Sequence, residues 1–191
     1  EGTGGGNDDA RGGVAATGAR DATWGRAGIV TPDWSESPGG DALRALIRME
    51  HGRYVGCGRF KTTATGTDFF AARFNSNGSL DTSFNGSGFT ETAFGLSLAV
   101  DQCNAVALQT DGMVVSAGYT DAHVALTRHT ASGQLHVTFD TGGMDELKGA
   151  ETATGQREAG GVRVATRGMC LVAGLRFGPR RRRVPRVGRS R

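Results

Sequence analysis

Proline is almost missing from this 191-residue chain, with 4 residues, and aromatic side chains make up only 7% of it. No apolar run approaches the roughly 20 residues that a membrane-spanning helix requires, so the chain carries no transmembrane segment of that kind. Cysteine is scarce as well. Cys57, Cys103 and Cys170 are odd in number, lie far apart and contain no C-x-x-C pair. That spacing signals neither a zinc knuckle nor a disulfide framework, and each thiol stands in a strand-like apolar stretch where it reads as a small buried hydrophobe. The start, EGTGGGNDD, contains no hydrophobic core of a signal peptide.

Long helices are excluded by what is abundant. The 32 glycines interrupt nearly every window in which a helix could propagate, and alternating patterns outnumber those at helical spacing. Charge divides the chain in two. Residues 176–191 hold Arg176, Arg180, Arg181, Arg182, Arg183, Arg186, Arg189 and Arg191 without one acid. Setting those eight aside leaves 14 basic against 19 acidic residues over 1–175, so the net charge of +3 hides an acidic body and a basic tail.

The body repeats itself. Asp41 to Gly58 (DALRALIRMEHGRYVGCG) aligns with Asp101 to Gly118 (DQCNAVALQTDGMVVSAG) at an offset of 60, matching Asp41 to Asp101, Ala45 to Ala105, Gly52 to Gly112 and Gly58 to Gly118. A further offset of 56 places Gly168, Ala173 and Gly174 on Gly112, Ala117 and Gly118. Each copy reads as two short strands rich in Val, Ala and Leu around a turn glycine. The residue before that glycine varies among His51, Asp111 and Arg167, which points to a backbone requirement for positive φ at the glycine itself.

A second segment repeats in the same order. Thr17 to Thr31 matches Asn77 to Glu91 at an offset of 60, and the latter matches the segment around Ser132 to Met144 at 55. The turn glycines Gly18, Gly78 and Gly133 align, as do the aromatics Trp24, Phe84 and Phe139, which are expected to anchor a loop against a sheet. Arg73 and Arg128 correspond too. Four short strands per unit of 55 to 60 residues are the mark of a propeller blade, with a β-solenoid as the second reading.

The strings DFFAARFNSNGSLDTSFNGSGF and NAVALQTDGMVVSAG resemble the delta-60 repeat family, over roughly residues 14–175. Its members are mostly bacterial, and the resemblance implies a β-propeller of unknown function from a secreted or cell-surface protein. Arg20 departs from the leucine found at Leu80 and Leu135, and His136 from the aspartate at Asp21 and Asp81.

The expected fold is therefore all-β, a propeller-like array of four-stranded blades amounting to about three blade equivalents, fewer than the 4 to 8 that close a ring. Residues 1–8 form a glycine-rich polar start expected to be disordered. The repeat domain covers 9–175, divided into a half unit at 9–33, full units at 41–94 and 101–149, and a half unit at 159–174. Residues 176–191 are an arginine-rich tail with Pro179 and Pro185, expected to be disordered. An open array exposes strand edges, so self-association or further blades of a parent chain are the expected partners.

No catalytic residue, cofactor or metal site is signalled. There is no H-E-x-x-H, no phosphate loop and no G-x-S-x-G elbow, and the Asn/Asp/Gly-rich turns lack the spacing of a calcium loop. His51, His123, His129 and His136 read as solvated loop or strand residues. Arg73 and Arg128 are candidates for gripping an anionic ligand, against the alternative of structural arginines bonded to loop carbonyls or to Asp81. The function expected is that of a non-catalytic scaffold or binding surface. Two alternatives stand beside it: a glycan-acting enzyme with its site in the propeller channel, and nucleic-acid or anionic-membrane binding through the Arg180–Arg191 tail.

Overall fold

The computed structural model describes residues 11–12, 17, 19–31, 34, 40–63, 66–94, 99–120, 123–140, 142–147, 157–164 and 170–177. Its elements are β1 (Arg11–Gly12), β2 (Ile29–Val30), β3 (Ala42–Arg48), β4 (Tyr54–Thr62), β5 (Gly66–Phe74), β6 (Phe89–Thr92), β7 (Ala99–Leu108), β8 (Val114–Thr120), β9 (His123–His129), β10 (Met144–Leu147), β11 (Arg157–Val164) and β12 (Cys170–Phe177). One 3-10 turn, Glu50–Gly52, joins β3 to β4. The glycine-rich start, Gly18, Gly168 and the tail beyond Phe177 lie outside the described residues, although β12 carries backbone pairing through Arg176 and Phe177.

The chain folds as an all-β, propeller-like array. Strands β3 to β6 form one antiparallel four-stranded meander and β7 to β10 a second. A short parallel pairing, Gly66 to Ala99 and Thr67 to Val100, joins the two at one end. Antiparallel pairing inside each unit distinguishes this arrangement from the parallel coils of a solenoid. The units stack through their first strands: β7 packs on β3 and β4, and β11 packs on β7 and β8.

Pairing registers repeat with the sequence. Ala45 lies opposite Cys57, Ala105 opposite Ala117, and Gly161 opposite Ala173. In the other half of the unit, Arg11 to Val30 and Gly12 to Ile29 reproduce Ala71 to Thr90 and Ala72 to Phe89. The first strands of the two full units also shift register once, between Leu43 and Ala45 and between Cys103 and Ala105. There the facing strand must come close. A Cβ on Gly58 would lie 1.8 Å from the Ala42 carbonyl oxygen, and one on Gly118 1.9 Å from that of Gln102. Only glycine fits beneath such a bulge.

Both faces of each meander are covered, which explains near-continuous apolar strands. Along β5, Phe69 and Ala71 face the second unit with Val55, Cys57, Phe84, Cys103, Val106, Val114 and Ala125. Phe70, Ala72 and Phe74 face the other way, with Leu43, Phe60 and the ring of Trp34. A third cluster, Ala105, Val115, Ala117, Val124 and Leu126, lies on the far side of the second unit.

Two expectations are corrected at the seam between the units. Cys57 and Cys103 are bonded as a disulfide, with Cα atoms 5.8 Å apart. Both are fully buried, as expected of small hydrophobes, but one sits on β4 and the other on β7. Stacking brings together cysteines that are 46 residues apart, a relation their spacing does not display. His129 is not solvated either. It is 1% exposed because it occupies, 55 residues on, the core position of Phe74.

Candidate functional site

The repeated polar and aromatic residues converge where one unit meets the next. In the first full unit, the loop after β5 folds back on Arg73. The Asp81 amide donates to the Arg73 carbonyl at 2.8 Å, and the Arg73 amide to Gly88 at 2.9 Å. The guanidinium is then engaged from every side. Its Nε donates to Asp81 Oδ2 at 2.8 Å and one terminal nitrogen to Ser83 Oγ at 2.7 Å. The other reaches the Ala131 carbonyl of the following unit at 2.5 Å. The plane lies over Phe84, 5.0 Å from the ring centroid, and only 5% of Arg73 is exposed. Burial of an ion held by charge-assisted bonds and a ring face needs this degree of satisfaction.

Asp81 is fixed in turn. Its Oδ1 accepts from the Ser83 amide at 3.1 Å and hydroxyl at 2.6 Å, and Arg53 reaches Oδ2 at 3.4 Å. Partial burial pushes its carboxyl up. The Ser83 bonds, together with the charge and bond of Arg73, outweigh this and hold it below the usual carboxylate value. Asp21 and Thr23 repeat the pairing, at 3.0 Å from the amide and 2.5 Å from the hydroxyl, and lower the Asp21 carboxyl likewise.

In the second unit the same loop carries His136 in place of aspartate. Arg128 donates to His136 Nδ1 at 3.1 Å and lies over Phe139 at 5.3 Å, while its buried Nε has no hydrogen-bond partner among the described residues. Thr138 takes the place of Ser83, with its hydroxyl 3.2 Å from His136 Nδ1. Both loops keep one backbone path, the amides of Phe84 and Phe139 donating to Asp81 and His136 at 2.9 and 2.8 Å.

The turn glycines and the aromatics meet across units, not within them. A Cβ on Gly78 would lie 3.0 Å from Trp24 Cε2, and one on Gly133 3.0 Å from the Phe84 ring. Beside these contacts the Gly25 amide donates to the Asn77 carbonyl and the Asn85 amide to the Ser132 carbonyl, each at 2.7 Å. Thus the loops of Trp24 and Phe84 each latch onto the glycine turn of the unit that follows. Gly52, Gly78, Gly112 and Gly133 hold φ of 73, 84, 82 and 87°, the left-handed region that a side chain disfavours.

Other residues of this seam escape a reading by motif. Asp41 and Asp101, which begin equivalent strands, accept from the amides of Trp34 and Phe94, each at 2.9 Å. Trp34 stacks on Phe89 at 4.7 Å and Phe94 packs edge-on to Phe69 at 5.0 Å. The available signal was the offset of 60 between Trp34 and Phe94, and the hydroxyl residue two places after Asp21, Asp81 and His136. Among the described residues no three His, Cys, Asp or Glu side chains gather as metal ligands, and no helix is long and apolar enough to cross a membrane.

Residues 52–84 match a family model described as a domain of unknown function (DUF5122) beta-propeller. The matched stretch begins at the turn glycine Gly52 and contains Arg73, Gly78, Asp81 and Phe84. No curated protein matches the chain.

Proposed function

We propose that the chain is a non-catalytic β-propeller repeat module whose stacked units serve as a scaffold presenting loops for binding. The carrying observation is the use made of Arg73. The side chain best placed to grip an anion is buried and holds Asp81, Ser83 and the next unit's Ala131. A polar constellation built to join units supports a structural reading of the repeat over a chemical one, since fold alone does not license an activity.

The repeat domain spans residues 9–175, with a half unit at 9–33, full units at 41–94 and 101–149, and a half unit at 159–174. A secreted or cell-surface setting is supported by the buried Cys57–Cys103 disulfide, because such bonds persist in oxidising compartments and are rare in the cytosol. The test is to incubate the full chain with a panel of labelled oligosaccharides and separate retention from turnover. Retention or inertness without product agrees with the reading. Saturable product formation that survives rigorous repurification overturns it.

A further inference from the structure

We infer that the Asn85-Gly86 step is a site of spontaneous covalent modification: in the folded chain the Gly86 amide closes on the Asn85 side chain, expels ammonia and leaves aspartate or isoaspartate, whereas the like step at Asn77-Gly78 is protected. The change falls on the latch between the two full units.

Both steps read Asn-Gly-Ser, so their local chemistry is alike and their surroundings decide between them. In each, the glycine nitrogen bonds to the asparagine Cγ, the Cγ–Nδ2 bond breaks, and ammonia leaves carrying the proton that the amide gives up. Water then opens the cyclic imide. Opening at Cγ leaves aspartate, and opening at the main-chain carbonyl leaves isoaspartate, in which the chain runs through the former side chain. Glycine has no side chain to shield the attacking nitrogen.

At the first step that nitrogen is already engaged. Gly78 is buried, its amide donates to the Asn75 carbonyl at 2.9 Å, and a Cβ on it would lie 3.0 Å from Trp24. Asn77 Oδ1 accepts from the Ser79 amide at 3.0 Å and hydroxyl at 2.8 Å, and the Asn77 carbonyl holds the Gly25 amide at 2.7 Å. Swinging Cγ onto the nitrogen disrupts this set together. Gly86, in contrast, is exposed, a Cβ on it meets nothing within 4 Å, and its amide makes no hydrogen bond among the described residues. The Asn85 side chain is tied only at its tip, Nδ2 donating to the Phe89 carbonyl at 3.1 Å and Oδ1 accepting from Gln134 Nε2 at 2.5 Å. Both bonds are exposed, where water competes for the same groups.

Asn85 also carries the latch, since its amide donates to the Ser132 carbonyl at 2.7 Å. An aspartate there keeps the Gln134 bond but turns an acceptor toward the Phe89 carbonyl. The backbone accommodates it, because Asp140 stands at the equivalent position with φ 40° beside the 53° of Asn85. Isoaspartate differs. It adds a methylene to the main chain inside the loop that the Gly88 amide closes on the Phe84 carbonyl at 2.7 Å, so this bond and the one to Ser132 no longer fit together.

Ageing the full chain in mildly alkaline buffer, native and in urea, followed by mass spectrometry of both sites, tests this; chymotryptic cleavage at Leu80 and Phe84 puts them on separate peptides. In the native protein Asn85 should convert about tenfold faster than Asn77, the protection that one or two net hydrogen bonds supply, and in urea the rates should agree within about twofold. Gly86→Ala, whose side chain meets open space, should slow Asn85 about tenfold and leave Asn77 unchanged. Hydrogen exchange at the Asn85 amide should be several-fold faster in the isoaspartate fraction than in unaged protein. Equal native rates, a faster Asn77, an Asn85 that converts only in urea, or a rate ratio that urea does not change would each overturn the inference. So would a Gly86→Ala chain that ages like the parent, or an isoaspartate fraction that exchanges like the unaged protein.

Discussion

Acid should weaken this fold at a pH where its carboxylates are still charged, and His129 is the reason. The ring lies between units, with Nε2 3.4 Å from Thr92 Oγ1 on β6 and Nδ1 without a hydrogen-bond partner among the described residues. Burial disfavours the imidazolium and lowers the pKa from 6.5 to about 4. Because the folded-state value is depressed, the unfolded chain takes up a proton first as pH falls. The stability tied to a neutral His129 is therefore complete above pH 6.5 and lost progressively down to about pH 4. At 1.36 kcal/mol per pKa unit the full loss is on the order of 3 kcal/mol, about 2.5 of it reached by pH 4.5. Asp81, whose carboxyl lies below its ordinary 3.8, adds a loss only at lower pH, so the two windows separate. His129→Phe copies Phe74 at the equivalent position and removes the titrating group. Urea unfolding followed by tryptophan fluorescence at pH 7.5 and 4.5 should show the parent losing about 2 to 3 kcal/mol more than the variant. Equal losses in the two proteins would refute the assignment.

Arg73→Ala should cost about 3 to 5 kcal/mol by leaving Asp81 without its closest cation and opening the seam, and Arg73→Lys should recover little, because an ammonium cannot serve Asp81, Ser83 and Ala131 together while covering Phe84. Arg128→Ala, at a site whose aspartate is already replaced by His136, should cost less than half as much; equal costs in denaturant unfolding would contradict the difference drawn between the units. Gly118→Ala should abolish the native fold or cost more than about 3 kcal/mol, because its Cβ would lie 1.9 Å from a backbone oxygen. Gly86→Ala meets nothing within 4 Å and should cost only the 1 to 2 kcal/mol of a left-handed conformation, so similar melting temperatures for the two would argue against the bulge geometry.

The repeat was legible because each unit must satisfy the same backbone demands: positive φ at the hairpin turns, an aromatic to bury the returning loop, and glycine beneath the bulge. Those demands fall at fixed positions within a copy, and an offset of 60 or 55 reveals them. Contacts between copies leave no such trace. Trp24 seats on Gly78 and Phe84 on Gly133, pairs separated by 54 and 49 residues that no period marks. Arg73 and Arg128 aligned as equivalents, yet their surroundings differ because Asp81 became His136 and because, among the described residues, only Arg73 reaches a following turn. The disulfide was hidden for the same reason. It joins a second strand to a first strand of the next unit, and the corresponding positions in the following pair of units are Ala117 and Ala159. His129 was misread because a polar residue in a core position shows its burial only through the phenylalanine it replaces.

The stacking of unit on unit is the claim on which both the latches and the buried histidine depend, and the cysteines report on it directly. Protein produced in an oxidising compartment, alkylated without reduction and digested, should yield a peptide pair linked through Cys57 and Cys103. A bond from either residue to Cys170, or alkylation of both Cys57 and Cys103 in folded protein that was never reduced, would contradict the account.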